Sequence, residues 1–334
     1  MFILGFSHIL VIGGNQKQTE VIDLTDFSLT CTSAFGELDS IRKHAVGELI
    51  NGTPIVCGGE DISDCIVFGS TQNERINLIE IRHRSASVLL NDTHLWILGG
   101  KSSSGNYNST EMINLNADNS VSGPELPVNL DSACAVKFND SHIYLTGGYY
   151  SMDDIGADKV WIYNMFDSSL TKGPSMKGAR SVHGCTVFDQ SLVIVAGGWN
   201  DGTALSSVEI LDPNMNQWVP GENERDKTTK ICWKNQMFEL NFEKVGILIC
   251  FFFTFIGPEM PFKTADINQA MVTSPDGMGI IIVGGGDSSS EKRILESRFD
   301  GSNFSSWHQM NQELEHERYG HVVIPIPKSL TTCN

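Results

Sequence analysis

The chain has 334 residues, with 40 acidic side chains against 23 basic ones and a formal net charge of −17. That balance, without any Lys/Arg cluster, argues against a nucleic-acid binder and for a solvated acidic surface. Apolar residues make up 40% of the chain and glycines number 32, which is enough for a large core and an excess of turns.

The N-terminal stretch 1–14, MFILGFSHILVIGG, holds an apolar run but no basic flank and no clear cleavage site. It reads as a β-strand rather than a signal peptide. From there a short apolar run ending in a glycine pair recurs six times, at Gly13 and Gly14, Gly58 and Gly59, Gly99 and Gly100, Gly147 and Gly148, Gly197 and Gly198, and Gly284 and Gly285. The first glycines are spaced by 45, 41, 48, 50 and 87 residues. Each unit carries about four strand-like runs; in the fifth they are 182–188, 191–196, 208–211 and a run around Trp218. Four short antiparallel strands repeated at this interval describe the blade of a β-propeller. A glycine pair closing an apolar strand calls for positive φ or for close approach of neighbouring backbone.

Arg180 and His183 precede the first strand of the fifth unit and Trp218 sits in its last; Arg318, His321 and Trp307 repeat the arrangement, and 160–163 (VWIY) fits a third strand. With the six glycine pairs, these residues resemble Kelch repeats. The second unit lacks a clear last-strand Trp and the third has no matching Arg-His pair. The resemblance implies an all-β, six-bladed Kelch-type propeller with four-stranded antiparallel blades. The chain begins at a second strand and ends with a first strand, 318–325, so the C-terminal strand is expected to complete the first blade and close the ring. The whole chain, 1–334, then reads as one domain, without room for a BTB or other partner domain.

The wide fifth-to-sixth gap places a surplus at about 222–261, which includes the apolar run 247–256. That run is too short to span a bilayer. Three readings stay open for the surplus: a membrane-touching or partner-binding insert, an extra hairpin or loop, and a retained intron translated in frame.

Catalytic motifs are not found: there is no G-x-S-x-G, H-E-x-x-H or P-loop. Nine histidines are scattered, with His94, His142, His183 and His321 placed for hydrogen bonding within a blade rather than for a metal. Asp153 and Asp154 form an adjacent loop pair expected to be solvated. No cofactor is expected, and the chain is read as a non-enzyme. Eight cysteines include no CxxC pair. Cys57 ends a second strand and Cys65 opens the third strand of the same blade, so this pair is a candidate disulfide; the pattern around it resembles that of some Kelch proteins with a suspected intrablade bond. Cys134 and Cys185, at similar first-strand positions in adjacent blades, are expected to pack rather than bond. Sequons at Asn51, Asn91, Asn108, Asn139 and Asn303 weakly favour secretion; those at Asn91 and Asn139 also read as ordinary turn asparagines. Cytoplasm is the default compartment, an oxidised Cys57–Cys65 pair or a truncated N-terminus pointing outside the cell instead.

Antiparallel strands alternate in direction, so the loops after each second strand and before each first strand share one face of the disc. Tyr107, Tyr149, Tyr150, Arg180, Trp199, Asn200, Arg318 and Tyr319 fall there and are the candidate contact residues, aromatics and Arg being enriched at interaction hot spots. The resemblance implies a monomeric binding module for a protein or peptide partner, serving as an adaptor, with a secreted carbohydrate-binding or carbohydrate-modifying propeller as the alternative.

Overall fold

The computed structural model describes residues 6–31, 35–69, 73–150, 157–220, 231–232, 252–253, 258–267, 269–286, 292–301 and 304–331. Six four-stranded antiparallel sheets make up its body, each with its strands, named A to D, in sequential order. The second blade runs Val46–Ile50, Thr53–Cys57, Asp64–Val67 and Glu74–Asn77, and the third Ala86–Asn91, His94–Leu98, Thr110–Asn114 and Asn119–Ser122. The fourth is Cys134–Lys137, His142–Thr146, Val160–Asn164 and Leu170–Lys172; the fifth Gly184–Phe188, Leu192–Ala196, Val208–Asp212 and Gln217–Pro220; the sixth Met271–Thr273, Gly279–Val283, Ile294–Arg298 and His308–Gln309.

The first blade is assembled from both chain ends. His321–Ile326 supplies its A strand and pairs with strand B, His8–Gly13, from Gly13 opposite His321 to His8 opposite Ile326. Glu20–Asp23 and Leu29–Cys31 follow as C and D. The six A strands touch in a closed circuit around an axis, so each blade's inner edge is covered. Apolar cores lie between adjacent blades: Leu10, Ile12 and Val322 of the first pack with Val56 and Ile66 of the second, and Cys57 and Ile76 of the second with Leu95 and Ile113 of the third.

The glycine pairs are explained by what they touch. All twelve have φ between +59° and +121°, where residues other than Gly are disfavoured. The amide of each second glycine donates to a carbonyl of the next blade, at Arg42, Arg82, Leu130, Arg180, Thr264 or Arg318, at 2.8 to 3.2 Å. A Cβ on each first glycine would lie 2.2 to 3.0 Å from the same carbonyl. Both reasons expected from the sequence therefore operate together, and the pair is an inter-blade joint.

A tryptophan in strand D of the fifth blade and one just before strand D of the sixth hold the outer rim. Trp218 Nε1 donates to the Pro174 carbonyl of the fourth blade, and Trp307 Nε1 to that of Pro258, both at 2.8 Å. Two of the four histidines noted in the sequence bridge blades, where bonding within a blade was expected. His183 Nε2 lies 2.8 Å from Thr146 Oγ1 of the fourth blade, and His321 Nε2 lies 3.0 Å from the Val283 carbonyl of the sixth.

The Sγ atoms of Cys57 and Cys65 are joined at 2.07 Å. Cys134 and Cys185 correct the packing expectation: their Sγ atoms are joined at 1.98 Å. The A strands of neighbouring blades converge at the axis and bring these two Cα atoms to 6.0 Å, within disulfide range. The surplus 222–261 lies outside the described residues except for 231–232, 252–253 and 258–261, and Asp153, Asp154 and Asn303 lie outside them as well. No helix among the described residues is long and apolar enough to cross a membrane.

Candidate functional site on the loop face

The B–C and D–A loops gather where the glycine pairs end. Their geometry is set by an arginine that leads into strand A of four blades. Arg180 is fully buried; its Nη1 donates to the Gly197 carbonyl at 2.8 Å and its Nη2 to Glu209 Oε1 at 2.7 Å. Glu209 also accepts from the backbone amides of Lys177 and Gly178. Arg318 repeats this with the Gly13 carbonyl and Glu20, and Arg82 with the Gly99 carbonyl and Glu111. Arg42 bonds the Gly58 carbonyl and Asp64. Every such guanidinium is enclosed by its own blade.

That placement corrects two of the candidate contact residues. Arg180 and Arg318 are 0% exposed, so their charge is spent inside the fold and reaches no partner. Tyr149 is buried too, its backbone bridging Asp131. Tyr150 packs against the core between the third and fourth blades, and burial pushes its hydroxyl up to about 12, partly offset by Trp161. Tyr107 stacks on Arg82 at 5.2 Å and donates its hydroxyl to Ser102 Oγ. Trp199 opens a small hairpin, packs on Val182, Ala204 and Ala265, and is followed by Asn200. Tyr319 is half-buried with the Lys43 ammonium 4.8 Å from its ring centroid. Trp199, Asn200 and Tyr319 thus keep part of their surface on the loop face, while the structure does not join the eight into one patch.

What the structure does bring together was missed by the sequence reading. Two positions after the arginine register stand His44, Arg84, Ser132, Val182, Asp266 and Gly320, one per blade, all with φ between 44° and 60°. Their backbones close a ring: His44 N donates to Gly320 O, Arg84 N to His44 O, Ser132 N to Arg84 O and Val182 N to Ser132 O. Ile267 N then donates to Val182 O, and Gly320 N to Asp266 O. Left-handed backbone is unfavourable for a β-branched residue such as Val182, and closure of the ring holds it there.

Charge converges on the second and third blades of this mouth. Burial and the nearby Arg84, Lys43, His83 and Lys101 push His44 down to about 2, leaving it neutral. Burial, Arg84 and Lys101 likewise lower His83, against a raising influence of Glu60 and Asp61. Asp266 is raised by burial and by Glu60, with Arg84 and Lys43 offsetting. Lys43, Arg84 and Lys101 therefore share this quadrant with Glu60, Asp61 and Asp266, and Lys43 Nζ lies 3.8 Å from Glu60 Oε1, making it a patch of mixed charge. Beside it, Ile41 and Ile81 stand immediately before Arg42 and Arg82 and are 49% and 42% exposed. Lys101 comes from a B–C hairpin, while the positions flanking an arginine that precedes an A strand are the signal that locates Ile41, Lys43, Ile81 and Arg84. It is hidden in the third blade because Ser85 stands where His183 and His321 stand elsewhere.

Comparison with known proteins agrees with this architecture. The family model for the Kelch motif matches residues 180–223. Kelch-like protein 23 of Homo sapiens is 33% identical over 103 residues, 31% of this chain and 18% of that protein. Alpha-scruin of Limulus polyphemus is 33% identical over 90 residues, 25% of this chain and 10% of the relative. An F-box/kelch-repeat protein of Arabidopsis thaliana is 33% identical over 92 residues, 28% and 23% of the two chains. The matched stretch thus spans less than a quarter of each of these relatives.

Proposed function

Because this chain is a Kelch-repeat β-propeller, we propose that it works as a non-catalytic module that holds a protein or peptide partner on the face formed by its B–C and D–A loops. The supporting observation is the coincidence, in one quadrant, of exposed Ile41 and Ile81 with Lys43, Arg84, Lys101 and the Tyr319 ring. Exposed apolar side chains rimmed by charge and aromatics have the composition of an interaction surface. The buried Arg-carboxylate pairs beneath make the platform rigid, so little ordering accompanies binding. Trp199, Asn200 and Tyr319 extend the surface around the mouth.

The test is affinity capture from the native source with three proteins: wild type, I41D/I81D/K43E, and F166D on the opposite face, where Phe166 is 81% exposed. The partner is expected with wild type and F166D and lost with the triple variant. Capture by the triple variant but not by F166D overturns the assignment.

A further inference from the structure

The A strands enclose an axial cavity of about 440 Å³. Much of its wall is apolar, with Val88, Val136, Val187, Val272 and Val323 lining it. One carboxyl group enters, that of Glu48. The ladders fix which residues are equivalent to it. Glu48 pairs with Ile55, three residues before the first glycine of its blade. At the same register the other five A strands carry Val88, Val136, Thr186, Val272 and Ile324. A carboxyl thus stands where every other blade has an apolar side chain or a hydroxyl.

Among the described residues nothing compensates it. Burial is the sole influence on the Glu48 carboxyl and pushes it up to about 8, with no donor or charge lowering it. The other titratable group lining the cavity is Lys137. Its ammonium donates to the Leu90 carbonyl at 2.9 Å and lies 3.5 Å from Asp140, turned to the rim. The cavity's two cysteines, Cys134 and Cys185, are bonded to each other. The carboxyl is half-buried and faces a wall in which valines alternate with Ser87, Thr186, Gln269 and Thr273; it is less well solvated there than at the surface, so its placement suits a ligand that completes it.

We propose that the axial cavity binds a small organic monocation, a primary amine with a short apolar body, whose ammonium pairs with the Glu48 carboxylate. The donor set selects this class. One carboxyl is too few for a calcium or zinc ion, which take several protein ligands, and it repels an anion. The net charge of −17 raises the local concentration of cations. The valine wall accepts a short alkyl chain. The site lies along the A strands toward their A–B ends, away from the loop face, and is independent of partner binding there.

The ammonium favours the ionised carboxyl, so each binding event below the free carboxyl's titration point expels a proton. Affinity therefore rises about tenfold per pH unit up to about pH 8 and then levels. The experiment is calorimetric titration of the full chain with n-butylammonium chloride, with n-butanol and sodium butyrate as comparisons. Saturable binding of the ammonium alone is expected, about tenfold tighter at pH 7 than at pH 6, with proton release read from two buffers of different ionisation heat. E48Q, with unchanged thermal unfolding, is expected to bind at least about tenfold more weakly. If E48Q does not fold, the proton release of the wild type still decides. Absence of saturable binding at pH 8, pH-independent affinity, or equal binding by folded E48Q overturns the proposal.

Discussion

Arg180 Nη2 and Glu209 Oε1 meet at 2.7 Å inside the fifth blade, with side chains 1% and 3% exposed. In the fourth and sixth blades Leu130 and Thr264 hold the arginine's place, and Trp161 and Leu295, paired with Leu145 and Ile282, hold the glutamate's. In the second blade Arg42 is kept while Ile66, paired with Val56, holds the glutamate's place, and Asp64 supplies the carboxylate instead. Removing one partner leaves a buried charge, so Arg180→Leu is expected to cost about 3–5 kcal/mol, while the double variant R180L/E209L costs less than either single change. Urea unfolding of the four proteins measures the coupling, and simple additivity would contradict it.

The glycine pairs allow a controlled comparison. Gly99 (φ +59°) and Gly52 (φ +76°) share a left-handed backbone, but a Cβ at Gly99 would lie 2.2 Å from the Leu130 carbonyl whereas nothing lies within 4 Å at Gly52. Gly52→Ala should cost about 1 kcal/mol, the left-handed penalty alone. Gly99→Ala should cost about 3 kcal/mol or more, because the obstruction is backbone. Thermal unfolding of the two variants separates conformational strain from collision.

Acid should weaken the ring at its inter-blade histidines. Burial and Arg318 lower His321 to about 3, the Val283 carbonyl partly offsetting, and burial and Arg180 hold His183 well below its ordinary value. In the unfolded chain both titrate near about 6.5. Below that pH the unfolded state binds more protons, so stability is complete above about 6.5 and falls as pH drops toward 3. The slope reaches about 1.4 kcal/mol per pH unit for each histidine. Unfolding free energies between pH 7 and pH 4 should show it, with a shallower slope in His321→Gln.

The two disulfides among the described residues close loops of unequal length, with sequence separations of 8 for Cys57–Cys65 and 51 for Cys134–Cys185. The chain-entropy relation gives about 2.5 and about 4 kcal/mol respectively. Cys134→Ser should therefore be the more damaging change by denaturant unfolding. Such bonds persist in an oxidising compartment. Peptide mass mapping of the native protein after alkylation, with and without reduction, should show Cys57, Cys65, Cys134 and Cys185 reacting only after reduction.

The repeat, the blade plan and the ring-closing strand 321–326 were legible because each is a local pattern: an apolar strand, a glycine pair, a fixed phase. Relations between blades were not. Cys134 and Cys185 are close only because A strands converge at the axis, a radial distance that no spacing in sequence encodes. Arg180 and Arg318 read as contact residues because they lie at exposed-looking loop ends, whereas the carboxylates that bury them, Glu209 and Glu20, come from strand C. Arg42 and Arg82 escaped notice because Ala45 and Ser85 replace the histidine that marks the motif elsewhere. Much of the loop-face quadrant, Ile41, Lys43, Ile81 and Arg84, flanks these two arginines in sequence, so it escaped with them.

The claim that the loop face carries the partner is tested most directly by amine-reactive cross-linking of the captured complex, followed by peptide mass spectrometry. Lys43 and Lys101 lie on the loop face, whereas Lys137 ends one A strand and Lys328 follows another, at the opposite face. Links from the partner to Lys43 and Lys101, with Lys137 and Lys328 unlinked, are predicted. Links concentrated at Lys137 and Lys328 would put the partner on the opposite face and contradict the account.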